Sequence, residues 1–184
     1  MIVTHLEDRT AVLKATVNVM NSAQVDLMGM GRQIAWIDHP DFQKAITDAI
    51  KRKVSVRVVG VDEGEVDYFA GKFLNLGVSV RFFEHGDLRV ALADTSKAVL
   101  SFPLPCTGLS TLREYQGLLI DDPKFCQWLK ARFDEIWNNS KEPRKSFIKQ
   151  IKQDFLSKPA VIIGMIIGAL IGAAATIIST LLIK

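Results

Sequence analysis

The chain has few of the residues that build metal centres and disulfide frameworks. Its 184 residues include two cysteines and three histidines. Cys106 and Cys126 lack the spacing of metal ligands, and a single pair is a poor framework for a chain of this length. We therefore expect a reducing compartment, no metal site and no cofactor.

A strong charge of either sign is also absent from most of the chain. Residues 1–140 hold 16 basic and 18 acidic side chains, whereas residues 141–158 hold six basic and two acidic ones. Proteins that bind nucleic acid cluster their cations on the folded surface, where they contact the phosphates. Because residues 1–140 show no such cluster, we do not expect nucleic acid as a partner.

One long hydrophobic run is the clearest feature that the sequence does contain. The 24 residues from Ala160 to Ile183 carry no charge, and 12 of them are isoleucine, leucine or valine. As a helix they would span roughly 36 Å, against a hydrocarbon thickness of about 30 Å. The alternative, a helix buried in a protein core, would need protein on all sides. We therefore predict a transmembrane anchor at 159–184, a basic juxtamembrane linker at 141–158 and a head domain at 1–140.

The flanks of this run predict its orientation and its contact with lipid. Basic residues stay on the cytoplasmic side of a span, and six of them lie in the preceding linker. We therefore expect a single-pass, tail-anchored protein with a cytoplasmic head. Apolar residues at helical spacing predict an interfacial amphipathic helix in the linker, or alternatively a continuation of the last head-domain helix. These residues are Phe147, Ile148, Ile151, Phe155 and Leu156.

Small residues recur at every fourth position of the predicted span. They are Ala160, Gly164, Gly168, Gly172, Thr176 and Thr180. Such a stripe lets two helices pack closely in lipid, where packing replaces the hydrophobic effect as the cause of association. Glycine is also common in membrane helices. We predict that Gly164, Gly168 and Gly172 form a packing face between two copies of the chain.

Helical and strand patterns alternate along the head domain. Apolar spacing predicts helices at Asp8–Asn21, Asp41–Lys51 and Asp62–Leu76, and a last helix capped by Asp122 whose aromatic side chains, Trp128 among them, lie in the core. Short runs rich in strand formers predict six strands, at Val25–Met30, Val54–Val59, Val78–Phe83, Leu88–Ala93, Ala98–Phe102 and Tyr115–Ile120. This order is typical of an α/β protein.

One stretch combines charged and hydroxyl side chains at a suggestive spacing. The residues run Asp87-Leu-Arg-Val-Ala-Leu-Ala-Asp94 and are followed, after a turn, by Leu100-Ser101. Together with the order of the elements and the closing Phe133–Trp137, this stretch resembles one unit of the phospholipase D superfamily over nearly the whole head domain. The resemblance implies a mixed sheet flanked by helices. It also implies two units that face each other, and hence a homodimer.

The signature of that superfamily is His-x-Lys-x-x-x-x-Asp followed by a Gly-Ser pair, and this sequence departs from it. Asp87 stands in the place of the nucleophilic histidine and Arg89 in that of the lysine, while Asp94 and Ser101 match. A carboxylate brings like charge to an anionic phosphodiester and is a poor substitute for the histidine. The resemblance thus implies a degenerate motif, with Asp87, Arg89, Asp94 and Ser101 as candidates for binding an anion or another ligand.

Two alternatives concern the same residues. His85, two residues before Asp87, is the candidate for a surviving nucleophile, although a histidine in a surface loop is the default interpretation. Asp87 and Arg89 also fit an ion pair on one face of a strand, with Asp94 at the start of a turn.

We expect a membrane-anchored phospholipase D-like module that acts by binding, as a scaffold or regulator with a protein partner, rather than by catalysis. The alternative is a homodimeric phosphodiesterase at the membrane surface, with His85 as its nucleophile. The superfamily is also similar to the effector-binding domain of TrmB-like transcription regulators. A repressor is not expected, because no helix-turn-helix precedes the domain in this sequence.

Overall fold

A computed structural model describes residues 2–32, 34–62, 66–84, 89–104 and 115–143. These residues belong to the first of two units into which the chain divides, Met1–Pro143. The predicted juxtamembrane helix and membrane span lie outside the described residues. Among the described helices, none is long and apolar enough to cross a membrane.

The described residues contain a seven-stranded mixed sheet. Its strands are β1 (Ile2–Leu6), β2 (Asp26–Gly31), β3 (Ser55–Val61), β4 (Ser79–Phe83), β5 (Arg89–Ala93), β6 (Lys97–Pro103) and β7 (Tyr115–Asp121). Their order across the sheet is β1-β7-β6-β5-β2-β3-β4. The strands β2, β3 and β4 run parallel, whereas β5, β6 and β7 form an antiparallel meander. The mixed sheet expected from the sequence is therefore present.

Helices cover both faces of this sheet. They are α1 (Arg9–Ser22), α2 (Pro40–Lys51), α3 (Val66–Asn75) and α4 (Pro123–Asn139), with a short 3-10 helix at Ile34–Asp38. Successive strand residues point to opposite faces, so β2 places Leu27 in a core with α1, α2 and α3, and Met28 in a second core with α4. We call these two sides the three-helix face and the α4 face.

Side-chain caps fix where two of the helices begin. The Asp8 carboxylate accepts a hydrogen bond from the Ala11 N–H at 2.7 Å, and Asp122 accepts one from the Phe125 N–H at 2.8 Å. Such caps satisfy N–H groups that have no partner inside the first helical turn. Pro123 in the first turn of α4 loses no hydrogen bond there. The predicted cap at Asp122 is confirmed.

Three local features differ from the sequence-based predictions. Strand β1 was not predicted, because its first four residues are exposed and the alternation that marks a half-buried strand is missing. Within the described residues, α3 begins at Val66 rather than at Asp62. The prediction of a buried Trp128 is wrong: its side chain is 57% exposed. The buried side of α4 follows the spacing of Cys126, Leu129 and Phe133, and Trp128 lies off it.

A half-buried ion network fastens α4 to the sheet. Arg57 donates from Nη1 to Asp134 at 2.8 Å and from Nη2 to Asp26 at 3.1 Å. Lys130 completes the network, 3.0 Å from Asp134 and 3.4 Å from Asp26. The Arg57 guanidinium also lies 5.2 Å from the ring centre of Phe133. Burial would raise the pKa of Asp134, but the hydrogen bonds from Lys130 and Arg57 outweigh it and lower the pKa.

We expect Arg57→Ala to destabilise the fold by about 2 to 4 kcal/mol, because it leaves two half-buried carboxylates with one remaining cation. Chemical denaturation of the full chain in mild detergent measures the loss. Lys44→Ala is the matched control, since it removes a cation whose side chain is 78% exposed and paired with Asp48. Equal effects of the two variants would contradict the role given to Arg57.

Candidate ligand-binding site

A cavity of about 480 Å³ lies between the three-helix face of the sheet and helices α1 and α2. We call it the central cavity. Its described lining includes Met20 from α1, Trp36 from the 3-10 helix and Phe42 from α2, facing β2, β3, β5 and β6. Small-molecule sites in proteins have volumes of about 300 to 1,000 Å³. The central cavity is therefore large enough for a metabolite-sized ligand.

Small residues at the centre of the sheet keep this space open. Gly29 of β2 pairs directly with Ala91 of β5, and both contribute to the lining. A Cβ atom added at Gly29 would lie 3.3 Å from the Trp36 ring, which is tighter than ordinary contact. Trp36 in turn packs edge-on against Phe42 and Phe73, with ring centres 5.5 and 4.9 Å apart. Because Gly29 has no side chain, the Trp36 ring can pack directly against β2.

Arg89 and Ser101 contribute polar side chains to the lining of the central cavity. They are paired residues on the neighbouring strands β5 and β6, and both line the cavity. Ser101 is the only buried polar or charged residue among the described residues. The Arg89 guanidinium lies 4.5 Å from the ring centre of Tyr115, at the start of β7. A guanidinium stacked on a ring keeps the N–H groups at its edge available to a ligand.

The charge of the described lining is positive. Arg9, the first residue of α1, lines the cavity together with Arg89. Asp38 is the carboxylate of the described lining, and it is paired with Lys72. The hydrogen bond that Lys72 donates to Asp38 is the leading cause of a raised pKa for Lys72. The carboxylate charge is thus balanced locally, which leaves the two arginines to attract an anion.

His39 adds an unsatisfied nitrogen to the same lining. Its Nδ1 atom is buried and has no hydrogen-bond partner among the described residues. The Oδ2 atom of Asp41 lies 3.9 Å away, which is too far for a hydrogen bond. A buried nitrogen without a partner costs free energy that a ligand group could recover.

The structure brings Arg89 and Ser101 together, but it places Asp94 at the other end of β5 and outside the described lining. Both Asp94 carboxylate oxygens accept backbone hydrogen bonds, from Gln24 at 3.1 Å, Val25 at 2.9 Å and Asp26 at 2.8 Å. Its backbone is left-handed, with φ of 52°. This geometry fits the interpretation of Asp94 as a turn residue.

The remaining predicted residues lie outside the described ranges. They are His85 and Asp87, and the glycines of the span, Gly164, Gly168 and Gly172. Their predicted roles stay predictions. Within the described ranges, no group of three or more histidine, cysteine or acidic side chains could hold a metal ion.

Sequence reasoning missed Arg9, Trp36 and Tyr115 as lining residues. Each lies far along the chain from Arg89, and no motif links them to it. Gly29, inside a predicted strand, was the one local signal, since glycine in a strand often marks a close approach by another group. That Gly29 lies beside Ala91 depends on the register between β2 and β5, which the sequence does not show.

We expect Asp94→Gly to destabilise the fold by about 1 to 2 kcal/mol at pH 7, because three backbone N–H groups lose their acceptor. Glycine tolerates the left-handed backbone, so the loss reports on the carboxylate. Burial would raise the pKa of Asp94, but the three N–H groups hold it below its usual value.

The stability supplied by this depressed pKa is present above the unfolded-state value of about 3.9 and is lost as the pH falls through the folded-state value. The difference between Asp94→Gly and the unchanged chain should therefore shrink between pH 5 and pH 3 in chemical denaturation. A difference that stays constant over this range would count against the charged hydrogen bonds.

Several solved structures share this fold. Nuc from Salmonella typhimurium, described as a phospholipase D family member, has a TM-score of 0.57 and 17% identity, covering 78% of this chain and 99% of that one. NucT from Helicobacter pylori has a TM-score of 0.57 and 12% identity, covering 77% and 99%. At such identities the likeness concerns the fold alone. The phospholipase D-like fold expected from the sequence is confirmed.

A third similar structure is that of TrmBL2, described as an archaeal chromatin protein with a novel mode of DNA binding. It has a TM-score of 0.57 and 17% identity over 77% of this chain. The match covers 54% of TrmBL2, so this chain spans about half the length of that protein.

Sequence comparison assigns the family. No curated protein matches the chain. A family model described as "Transcriptional regulator TrmB, EBD N-terminal subdomain" matches residues 3–144. The match includes the strands and helices of the described fold except for Ile2, the first residue of β1. The chain therefore belongs to the family of the N-terminal subdomain of the TrmB effector-binding domain.

Proposed function

We propose that the chain is a ligand-binding regulatory module, held at a membrane by its C-terminal segment, and that it does not hydrolyse phosphodiesters. One observation carries the proposal: Arg89 and Ser101 lie side by side in the wall of the central cavity. A guanidinium and a hydroxyl in this arrangement suit the binding of an anionic group. The family supports the same role, since its model describes part of an effector-binding domain.

The residues around this pair favour binding over catalysis. Hydrolysis through a covalent intermediate needs a nucleophile beside the groups that hold the phosphate. Asp87 stands at that place in the sequence, and a carboxylate is a poor substitute for the histidine that would attack phosphorus. Of the described histidines, His5 lies on strand β1, and His39 reaches the cavity from the start of α2, not from the sheet.

The charge balance of residues 1–140 also argues against carrying over the DNA binding described for TrmBL2. Acidic side chains outnumber basic ones, 18 to 16. Binding to DNA phosphates depends on an excess of cations at the contact surface. A role in sensing a small molecule fits this charge balance better.

We expect no phosphodiester turnover by the full chain in detergent micelles above the rate of its His85→Ala variant. A chromogenic substrate such as bis(4-nitrophenyl) phosphate provides the assay. Turnover that His85→Ala abolishes would overturn the proposal and establish the phosphodiesterase alternative. A trace activity equal in both proteins would come from a contaminant and would leave the expectation met.

The membrane part of the proposal is tested on membranes isolated from cells that express the full chain. The full chain should stay in the membrane pellet after alkaline carbonate extraction, because its uncharged run of 24 residues is long enough to span a bilayer. Ile167→Arg/Leu170→Arg puts two charges into the middle of that run and should release the protein. Extraction of the unchanged chain would contradict the anchor.

A homodimer is part of the proposal, and strand β1 offers a surface for it. Among the described residues, one edge strand of the sheet, β4, is partly covered, because Phe82 and Lys141 exchange two backbone hydrogen bonds of 2.7 and 2.8 Å. At the other edge, β1 exposes Ile2 and Val3 and carries no charge. Uncharged, exposed edges readily pair with another strand. A second copy of this chain, already brought close by the predicted glycine face, suits that edge.

We expect Ile2→Lys to lower the yield of cross-linked dimer in membranes, because a charge at an edge opposes strand pairing. Val25→Lys is the matched control: Val25 is 70% exposed, like Ile2 at 67%, but it lies just before β2. Gly168→Leu should lower the yield independently by separating the predicted membrane helices. A yield unchanged by Ile2→Lys would remove β1 from the dimer, and one unchanged by Gly168→Leu would remove the glycine face.

A further inference from the structure

We infer that the ligand of the central cavity is a small amphiphilic anion, in which one carboxylate or phosphate group is joined to an apolar body. The inference rests on the proposed function, because it names the class of ligand for the same site. It follows from the distribution of charge, hydrogen-bonding groups and apolar surface around the cavity.

The positive charge is concentrated where the anionic group would bind. Arg89 is held by its stacking on Tyr115 rather than by an ion pair with any described carboxylate. Arg57 provides the contrast, since two carboxylates and Lys130 surround it on the α4 face. The charge of Arg57 is therefore used within the fold, whereas that of Arg89 is available to a ligand. Hydrogen bonds between charged groups are roughly twice as strong as neutral ones.

The rest of the described lining is largely apolar and would cover a hydrocarbon or aromatic body. Side chains from the sheet and from both helices contribute to it, namely Met20, Leu27, Trp36, Phe42, Ile46 and Val58. Burying apolar ligand surface contributes roughly 25 cal/mol per Å². A ligand with a single polar end and an apolar remainder matches both parts of the wall.

The same wall disfavours a ligand with many hydroxyl groups. Two of the described polar side chains of the lining are already paired: Thr16 donates its hydroxyl hydrogen to the Val12 carbonyl at 2.7 Å, and Asp38 pairs with Lys72. Each ligand hydroxyl buried without a partner would cost about 1 to 3 kcal/mol. A saccharide would leave several hydroxyls in that state against Leu27, Ile46 and Val58.

The test measures binding to the full chain in nanodiscs of a zwitterionic lipid, by titration calorimetry, with empty discs correcting for partition of the probe. Octanoate and octyl phosphate are the amphiphilic anions. Octanol lacks the charge, inorganic phosphate lacks the apolar body, and a neutral disaccharide supplies hydroxyls instead. We expect octanoate or octyl phosphate to bind at least tenfold more tightly than the other three probes. The stronger of these two identifies the anionic group as carboxylate or phosphate.

Two variants locate the binding. Arg89→Gln should weaken binding of the amphiphilic anion by about 10- to 150-fold, the range that 1.5 to 3 kcal/mol for a charged hydrogen bond converts to. Arg132→Gln is the matched control, because its side chain is 55% exposed and pairs with Glu135 on the outer side of α4. Ala91→Phe should abolish binding by filling the cavity. Arg89→Gln keeps the test decisive if Ala91→Phe does not fold.

The outcomes separate this inference from the proposed function. Tight binding of the disaccharide or of octanol, lost in Ala91→Phe, would overturn the amphiphilic anion and leave the ligand-binding module standing. Anion binding that Arg89→Gln does not weaken would also overturn the inference. Phosphodiester turnover that depends on His85 would instead overturn the proposed function.

Discussion

The central cavity on the three-helix face depends on two small residues, Gly29 and Ala91, which pair across β2 and β5. A side chain at Gly29 would press on the Trp36 ring, and a larger residue at Ala91 would fill part of the space. Because protein interiors are otherwise packed to the density of organic crystals, a cavity of about 480 Å³ requires such an absence of side-chain volume. The polar groups of the lining bear on which ligand this space suits, and Arg89 and Ser101 are two of them.

The two faces of the sheet use arginine in opposite ways. On the α4 face, Arg57 lies between Asp26 and Asp134, so its charge is neutralised and its contribution is to stability. On the three-helix face, Arg89 rests on Tyr115 and forms no ion pair with the described carboxylates. A ring holds a guanidinium in place without cancelling its charge. Helix α4 is thus attached to the sheet by ion pairs, while the charge of Arg89 at the cavity is not balanced by a described carboxylate.

The same fold occurs in Nuc and NucT and in the chromatin protein TrmBL2, so the fold alone does not determine the chemistry. What distinguishes this chain is its set of residues at the site. Arg89 and Ser101 line the central cavity together, whereas Asp87 stands in the sequence where the phospholipase D signature has its histidine. The proposed binding role agrees with these residues and with the family, whose model describes part of an effector-binding domain.

The sequence by itself determined the elements whose signals are local. The cap at Asp122, the apolar spacing of α1, α2 and α4, and the strand runs β2 to β7 depend on neighbours within a few residues, and these predictions hold. The pairing of Arg89 with Ser101 is also local, because a short turn joins their two strands.

Tertiary structure alone decided the rest. Strand β1 is recruited by β7, more than a hundred positions away, and its exposed residues carry no pattern of their own. The turn role of Asp94 depends on the N–H groups of residues about seventy positions earlier. The cavity depends on a strand register that sets Gly29 beside Ala91 and on helices that bring Arg9 and Trp36 to the same space. Such contacts are non-local, so no spacing along the chain encodes them.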